Sequence, residues 1–169
     1  TLPDLMAETI GAVDRAVQAL VPKINPWKDL YFLGYGLTYP MALEGALKLK
    51  EITYAHCEGM LSTEFKHGPL SAVTEGFPVL FAAGPEDVPL IISGINEVTC
   101  RGGEAIAVGQ NNAALEANAD DLIEIPATNP IFSSLLSVLP LQLLSYHMAV
   151  ARGYDPDFPR NLSKTLTVD

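Results

Sequence analysis

Four short apolar runs constrain the fold most strongly, because each is bounded by charge, glycine or proline and helical segments separate them. The runs are DLYFLG at 29–34, FPVLFAA at 77–83, EAIAVG at 104–109 and DLIEI at 121–125. Strands that alternate with helices are typical of βαβ units, which place helices on both faces of a parallel sheet. We therefore predict an α/β fold, a three-layer α/β/α sandwich with a mostly parallel, flavodoxin-like sheet. A further strand is expected in 71–74 or near the C-terminus.

Apolar periodicity predicts the helices of this sandwich. They are expected at 3–20, from Thr38 to Gly59, and at 86–101, 113–117 and 131–152. Pro22 is expected to end the first helix, and Pro140 to kink or restart the last one. The last helix is very apolar, but proline, glutamine, tyrosine and histidine interrupt the run. We therefore expect a buried core helix and no membrane span.

Composition bounds the partners of the chain. Its 169 residues are enough for one domain, and 49% of them are hydrophobic while only 18% are charged. An apolar content this high indicates that a partner covers part of the surface. The formal net charge of −10 argues against binding to nucleic acid, whose phosphates require a basic face.

Cysteine and histidine spacing points to no metal and no cofactor. Cys57 and Cys100 follow no CxxC pattern, so we expect two free and mostly buried thiols in a reducing, cytoplasmic compartment. The three histidines lack the spacing of metal ligands.

The segment 38–70 carries the densest chemistry. Glu44, Lys48 and Glu51 are spaced i, i+4 and i+7, so they lie along one side of a helix that is otherwise largely apolar. Charges on such a helix are expected to be partly buried. One interpretation is an ordinary helix ion pair, which is worth a few tenths of a kcal/mol. The other is a functional site, since partly buried charges are costly unless they are paired, and they tend to be functional.

Long motifs give the chain a family resemblance. YPMALEGALKLKEITYAH followed by EFKHGPL resembles the second sugar-isomerase (SIS) domain of the glutamine–fructose-6-phosphate aminotransferase family, the glucosamine-6-phosphate synthases. The C-terminal run PLQLLSYHMAVARGYDPDFPRNLSKTLTVD resembles the end of the same enzymes, and GGEAIAV matches a family strand. The resemblance implies an SIS domain at 1–153, whose sheet has five strands, and a C-terminal catalytic tail at 154–169 that packs on it.

The resemblance also assigns roles in the tail. Lys164 matches the lysine that forms a Schiff base with C2 of ring-opened fructose 6-phosphate. An amine reacts in this way only when it is deprotonated, which desolvation or a neighbouring cation such as Arg160 favours. Asn161 and Ser163 belong to the same RNLSK motif and are expected to support substrate binding.

Further roles fall in the segment 38–70. Glu51 matches the base that moves a proton between C1 and C2 of the sugar. Lys48 would orient Glu51 or handle a second proton, and Glu44 would hold Lys48 in a structural role. His67, in KHGP, matches the residue that opens the sugar ring in a neighbouring subunit's site across the dimer interface. Together with the high apolar content, this implied role leads us to expect a homodimer.

Two loops predict how the domain treats phosphate. A phosphosugar site needs hydroxyls and free amides where loops follow parallel strands. Thr38 is the only serine or threonine in GYGLTYP, and AAGPEDVP has none but carries Glu86 and Asp87. The domain's own phosphate site therefore looks degenerate, and the resembled family supplies that site from its first SIS domain.

These observations favour one function and leave two open. The favoured function is the isomerase half of a glucosamine-6-phosphate synthase, completed by an upstream SIS domain and a glutaminase domain, and inactive alone. The alternatives are a related sugar-phosphate deglycase or deaminase, and a non-catalytic module that dimerises and binds a sugar phosphate. Since the chain begins at Thr1 without methionine, we expect it to be a piece of a longer protein.

Overall fold

The computed structural model describes residues 1–162 and shows an α/β architecture there. The helices are α1 (Leu2–Ile24), α2 (Tyr39–Thr53), α3 (Val88–Thr99), α4 (Ala113–Asn118) and α5 (Pro130–Ala151). The strands are β1 (Asp29–Gly34), β2 (His56–Leu61), β3 (Pro78–Ala82), β4 (Glu104–Gln110) and β5 (Asp121–Ile125). Short 3₁₀ turns cover Gly36–Thr38, Ser62–His67 and Pro69–Ala72.

The five strands form one parallel sheet in the order β2-β1-β3-β4-β5. Buried residues of α1, α2 and α5 share a core cluster with one face of the sheet. Those of α3, α4 and the turn Ser62–His67 share a cluster with the other face. The predicted three-layer sandwich is therefore confirmed.

The position of the fifth strand was predicted wrongly. It is the edge strand β2 at His56–Leu61, whereas residues 69–72 form a 3₁₀ turn. Helix α2 accordingly ends at Thr53 and does not continue to Gly59. Gly59 explains how the strand fits, because a Cβ there would lie 2.8 Å from Leu43 Cα of the helix. The strand and the backbone of α2 are thus in direct contact.

Pro22 does not end α1, and α5 does not restart at Pro140, contrary to those predictions. Pro22 lies within the last turn of α1, where its missing N–H removes one helical hydrogen bond and only two further helical residues follow. Pro140 lies in the middle of α5 and is buried, and the helix continues through it. Packing of α5 against α1 and α2 maintains the helix on both sides of the proline.

Helix α5 is also long and apolar enough to cross a bilayer by those two criteria alone. In this structure, however, 56% of its most apolar window is buried inside the protein. Leu136, Leu141, Leu144 and Met148 belong to the core cluster shared with α1 and α2. Helix α5 is therefore a core helix, as predicted.

Arg152 joins three chain segments at the amino edge of the sheet. Its guanidinium donates hydrogen bonds to the backbone oxygens of Asn25, Trp27 and Thr53 at 2.8–3.1 Å. It also donates to Asn25 Oδ1 at 2.7 Å. The end of α5 is thereby fixed to the ends of α1 and α2, and the C-terminal tail begins at this edge.

Candidate active site

A linked set of charges lies along one side of α2, from Glu44 to Glu51. Lys48 Nζ is 2.6 Å from Glu51 Oε2 and 3.9 Å from Glu44 Oε1. The side chains of Lys48, Glu51 and Glu44 are 35%, 26% and 37% exposed, so the expected partial burial is confirmed. The hydrogen bond that Lys48 donates to Glu51 is the main reason why the pKa of Lys48 is raised above its ordinary value of 10.5, despite partial burial. Lys48 is therefore an ammonium at neutral pH and holds the Glu51 carboxylate.

This set contributes little to stability. A partly exposed i, i+3 pair is worth about 0.3–0.5 kcal/mol. Within residues 1–162, the Glu51 side chain accepts a hydrogen bond from Lys48 alone, and it accepts this bond at Oε2. Glu51 is thus a carboxylate held in one orientation with Oε1 available, as a general base requires.

The direction of α2 locates this set within the fold. Helix α2 follows the carboxyl end of β1 and leads back to the amino end of β2, so its last turn lies at the amino edge of the sheet. Arg152, at the start of the tail, donates to Thr53 O in that last turn. Glu51 and the beginning of the tail therefore share one edge of the domain.

The tail returns to α2 at Tyr54, a residue that the sequence analysis missed. The Tyr154 ring lies 4.9 Å from the Tyr54 ring, centroid to centroid. Arg160 Cζ lies 3.9 Å from the centroid of the Tyr54 ring, and Arg160 N donates to Tyr54 Oη at 2.9 Å. Asn161 is exposed and has a φ of 62°. Ser163 and Lys164 lie outside the described residues.

His67 does not join Glu51 within one chain. It is exposed at the end of the turn Ser62–His67. Phe65 of that turn belongs to the core cluster under α3, whereas Ala46 and Leu49 of α2 belong to the cluster on the other face. His67 and Glu51 are therefore carried on opposite faces of the sheet.

The loops after β1 and β3 meet at the carboxyl edge around Asp87. A Cβ at Gly84 would lie 2.7 Å from Asp87 Oδ2, and one at Gly36 would lie 3.3 Å from it. Partial burial, reinforced by Glu86, raises the pKa of Asp87. Thr38 is buried, with Oγ1 at 2.8 Å from Ala82 O. The crevice where a phosphate would be expected thus contains a carboxylate and a hydroxyl that is already hydrogen-bonded.

Neither cysteine belongs to the charged set on α2, and His147 does not belong to it either. Cys57 is buried, and burial raises its pKa to about 12. Cys100 is exposed because it follows the last turn of α3, so the expectation of two mostly buried thiols was wrong. His147 Nε2 lies 2.7 Å from Asp14 Oδ1 and links α5 to α1. Within residues 1–162, no group of three or more histidines, cysteines and acids is arranged to hold a metal ion.

Known proteins are similar to this chain over nearly its whole length. The family model of the SIS domain matches residues 23–152. Glutamine–fructose-6-phosphate aminotransferase [isomerizing] from Pyrobaculum aerophilum is 41% identical over 169 residues, covering 99% of this chain. The enzyme of the same name from Clostridium tetani is 44% identical over 173 residues, covering 100%. The chain spans 28% of the length of each of these relatives.

Solved structures show the same similarity. The C-terminal domain of glucosamine-fructose-6-phosphate aminotransferase from Francisella tularensis matches with a TM-score of 0.83 and 34% identity, over 91% of this chain and 44% of that one. Glucosamine-6-phosphate deaminase from Thermotoga maritima matches with a TM-score of 0.74 and 26% identity, over 95% and 49%. The resemblance inferred from the motifs is confirmed, and the chain belongs to the SIS-domain family.

Proposed function

We propose that this chain is the isomerase half of a glucosamine-6-phosphate synthase. The whole enzyme would convert fructose 6-phosphate and glutamine-derived ammonia to glucosamine 6-phosphate. The Lys48–Glu51 pair carries this proposal, because it presents an oriented carboxylate at the edge of the domain where the tail begins. The similarity to aminotransferases across the whole chain supports it.

The proposed chemistry divides between the tail and α2. The Lys164 amine would attack C2 of the ring-opened ketose, and loss of the C2 oxygen as water would leave an imine. Ammonia would then displace Lys164 from C2. Glu51 would take a proton from C1 and return it to C2 while the proton of the C1 hydroxyl passes to the nitrogen, which converts the 2-imine of the sugar into a 2-amino aldose. Lys48 would hold Glu51 in place throughout.

The proposed partners follow from what the domain lacks for this chemistry. The Asp87 carboxylate would repel a phosphate dianion at the carboxyl edge of the sheet, which supports an upstream SIS domain as the phosphate holder. A glutaminase domain would supply ammonia. His67 lies on the opposite face from Glu51, so a role in ring opening requires a second subunit. We therefore propose a homodimer. Its two free cysteines support a reducing, cytoplasmic compartment.

Glu51→Gln in the full-length enzyme tests this function. The expected result is a loss of about 10²–10⁴-fold in the rate at which solvent deuterium enters the sugar at C1 and C2, followed by NMR. Imine formation, trapped with borohydride, should persist because Lys164 is unchanged. Glu116→Gln on α4 removes the same charge from an exposed site and should leave the exchange rate unchanged. Exchange at the original rate in Glu51→Gln would rule out the proposed base.

A deaminase is the second candidate, favoured by the structural similarity to the Thermotoga maritima enzyme. The two functions differ in their requirement for glutamine. A synthase consumes glutamine and forms glucosamine 6-phosphate, whereas a deaminase releases ammonia from glucosamine 6-phosphate without it. Assays of the full-length enzyme in both directions, with and without glutamine, separate them.

A further inference from the structure

Tyr54 has a backbone conformation that tyrosine rarely adopts. It is the residue after α2, with φ 61° and ψ 16°, in the left-handed region. Glycine usually occupies this position at a helix end, because it has no Cβ to clash with the backbone. For other residues this conformation is strained, because the Cβ lies too close to the following carbonyl oxygen. A tyrosine in this conformation requires stabilising contacts from the surrounding structure, so the contacts of its side chain are informative.

Three contacts join the Tyr54 side chain to the tail. Its ring packs against Tyr154 with centroids 4.9 Å apart. The Arg160 guanidinium lies over the ring at 3.9 Å, which is within the range of a cation–π interaction. The Tyr54 hydroxyl oxygen accepts a hydrogen bond from Arg160 N at 2.9 Å. One side chain thus contacts both a cation and a main-chain amide of the same tail residue.

These contacts give the tail two fixed points on the domain. Arg152 fastens its start through hydrogen bonds to Asn25, Trp27 and Thr53. Tyr54 fastens it again at Arg160, eight residues later and four residues before Lys164. Because Tyr54 also lies three residues after Glu51, it links the end of α2 to the segment that leads into Lys164.

We propose that Tyr54 is a positioning residue, which sets where the tail leaves α2 and thereby aligns Lys164 with Glu51. This inference rests on the proposed function, since it takes Lys164 as the imine lysine. The residue itself does not touch the reacting atoms. Its contribution is orientation, and misplacement of a reacting group by about 1 Å can cost about 10²-fold in rate.

Substitutions at Tyr54 in the full-length enzyme test this proposal. Tyr54→Gly removes the ring and relieves the backbone strain, so a loss of activity cannot come from a worse helix end. Tyr54→Phe keeps the ring and removes only the hydroxyl. Tyr146→Leu is the matched control, because it removes a half-exposed tyrosine on α5 that has no part in the tail.

Two readouts follow each variant. The first is the rate of trypsin cleavage after Arg160, measured by mass spectrometry, which reports whether the tail is held. The second is the rate of borohydride trapping of the sugar imine. In Tyr54→Gly we expect cleavage to accelerate and trapping to slow, each by at least about tenfold. Tyr54→Phe should change both rates less than Tyr54→Gly does, because only one hydrogen bond is lost and the ring contacts with Tyr154 and Arg160 persist. Tyr146→Leu should change neither.

The outcomes separate this inference from the proposed function. Cleavage of Tyr54→Gly at the wild-type rate would show that Tyr54 does not hold the tail. Faster cleavage with unchanged trapping would show that the tail is held but that Lys164 does not depend on it. Either result overturns the positioning role and leaves the proposed function intact. The proposed function fails only if the enzyme forms product without the Lys164 amine, which Lys164→Arg decides independently.

Discussion

Gly45 on α2 lies directly against Leu141 on α5. A Cβ at Gly45 would be 2.7 Å from Leu141 Cδ1 and 2.9 Å from Leu141 Cβ. Glycine in a helix interior costs roughly 0.5–1 kcal/mol relative to alanine, so its presence here reflects the close contact of the two helices. We predict that Gly45→Ala destabilises the domain by about 1–2 kcal/mol, because overpacking outweighs the gain in helix propensity. Denaturant unfolding measures this change.

Gly11 on α1 is the matched control for that substitution. It is also within a helix, but a Cβ there would meet no atom within 4 Å. Gly11→Ala should therefore stabilise the protein by about 0.5–1 kcal/mol. If both substitutions changed stability in the same direction, the close contact between Gly45 and Leu141 would not be what determines the packing of α2.

Asp87 gives a pH-dependent prediction. Its pKa is raised by partial burial, so the folded state holds a proton that the unfolded state releases above 3.8. Stability is therefore lost as pH rises from 3.8 through the folded-state pKa, and the ionised carboxylate destabilises the fold at neutral pH. Asp87→Asn should raise the melting temperature at pH 7, with a gain that disappears below pH 3.8.

Glu86→Gln provides the control for this effect. Glu86 is the exposed neighbour of Asp87, and the substitution removes the same charge. A smaller change in melting temperature is expected for it. Equal gains in the two variants would show that net charge alone causes the effect. The position of Asp87 between Gly36 and Gly84 would then have no influence on the melting temperature.

The two thiols should differ in reactivity. Cys57 is fully buried on β2 with a pKa of about 12, and Cys100 is exposed. The thiolate is the reactive form, so iodoacetamide at pH 8 should alkylate Cys100 in the folded protein and reach Cys57 only after unfolding. Peptide mass spectrometry follows both sites. Comparable labelling of both thiols under native conditions would contradict the buried position of Cys57.

Most of the fold was predictable because four of its five strands have a clear local pattern in the sequence. Runs such as DLYFLG at 29–34 are apolar, short and bounded by breakers, and the structure confirms these strands. The exception is β2, with the sequence HCEGML, which has no β-branched residue and follows α2 after only two residues. Its strand conformation depends on pairing with β1 and on contact at Gly59 with α2. Such long-range contacts leave no local pattern in the sequence.

The candidate site likewise has one part that local spacing predicts and another part that depends on long-range contacts. Helical spacing alone predicts that Glu44, Lys48 and Glu51 lie together, because one helix carries all three. Tyr54 could not be predicted, because its role depends on a left-handed backbone and on residues that are about 100 positions later in the chain.

The isolated chain should bind fructose 6-phosphate weakly or not at all. At the carboxyl edge of its sheet, Asp87 stands between Gly36 and Gly84, and the Thr38 hydroxyl is already hydrogen-bonded. Isothermal titration of the chain with fructose 6-phosphate, and with glucose as a neutral control, should give no saturable heat. Saturable binding that requires the phosphate, or turnover of the sugar by this chain alone, would show that the loops form a complete site.

In the proposed function, this chain supplies the imine lysine of a glucosamine-6-phosphate synthase. Lys164→Arg in the full-length enzyme keeps the positive charge but cannot form a Schiff base, so it separates charge from covalent chemistry. Lys28→Arg is the matched control, since it makes the same change at an exposed position before β1. Borohydride trapping and glucosamine 6-phosphate formation are measured together with glutamine hydrolysis.

In Lys164→Arg, we predict that trapping and glucosamine 6-phosphate formation are both abolished while glutamine hydrolysis largely persists. Lys28→Arg should retain all three activities. Formation of glucosamine 6-phosphate by Lys164→Arg at a rate comparable to that of the unmodified enzyme would contradict the covalent role of Lys164.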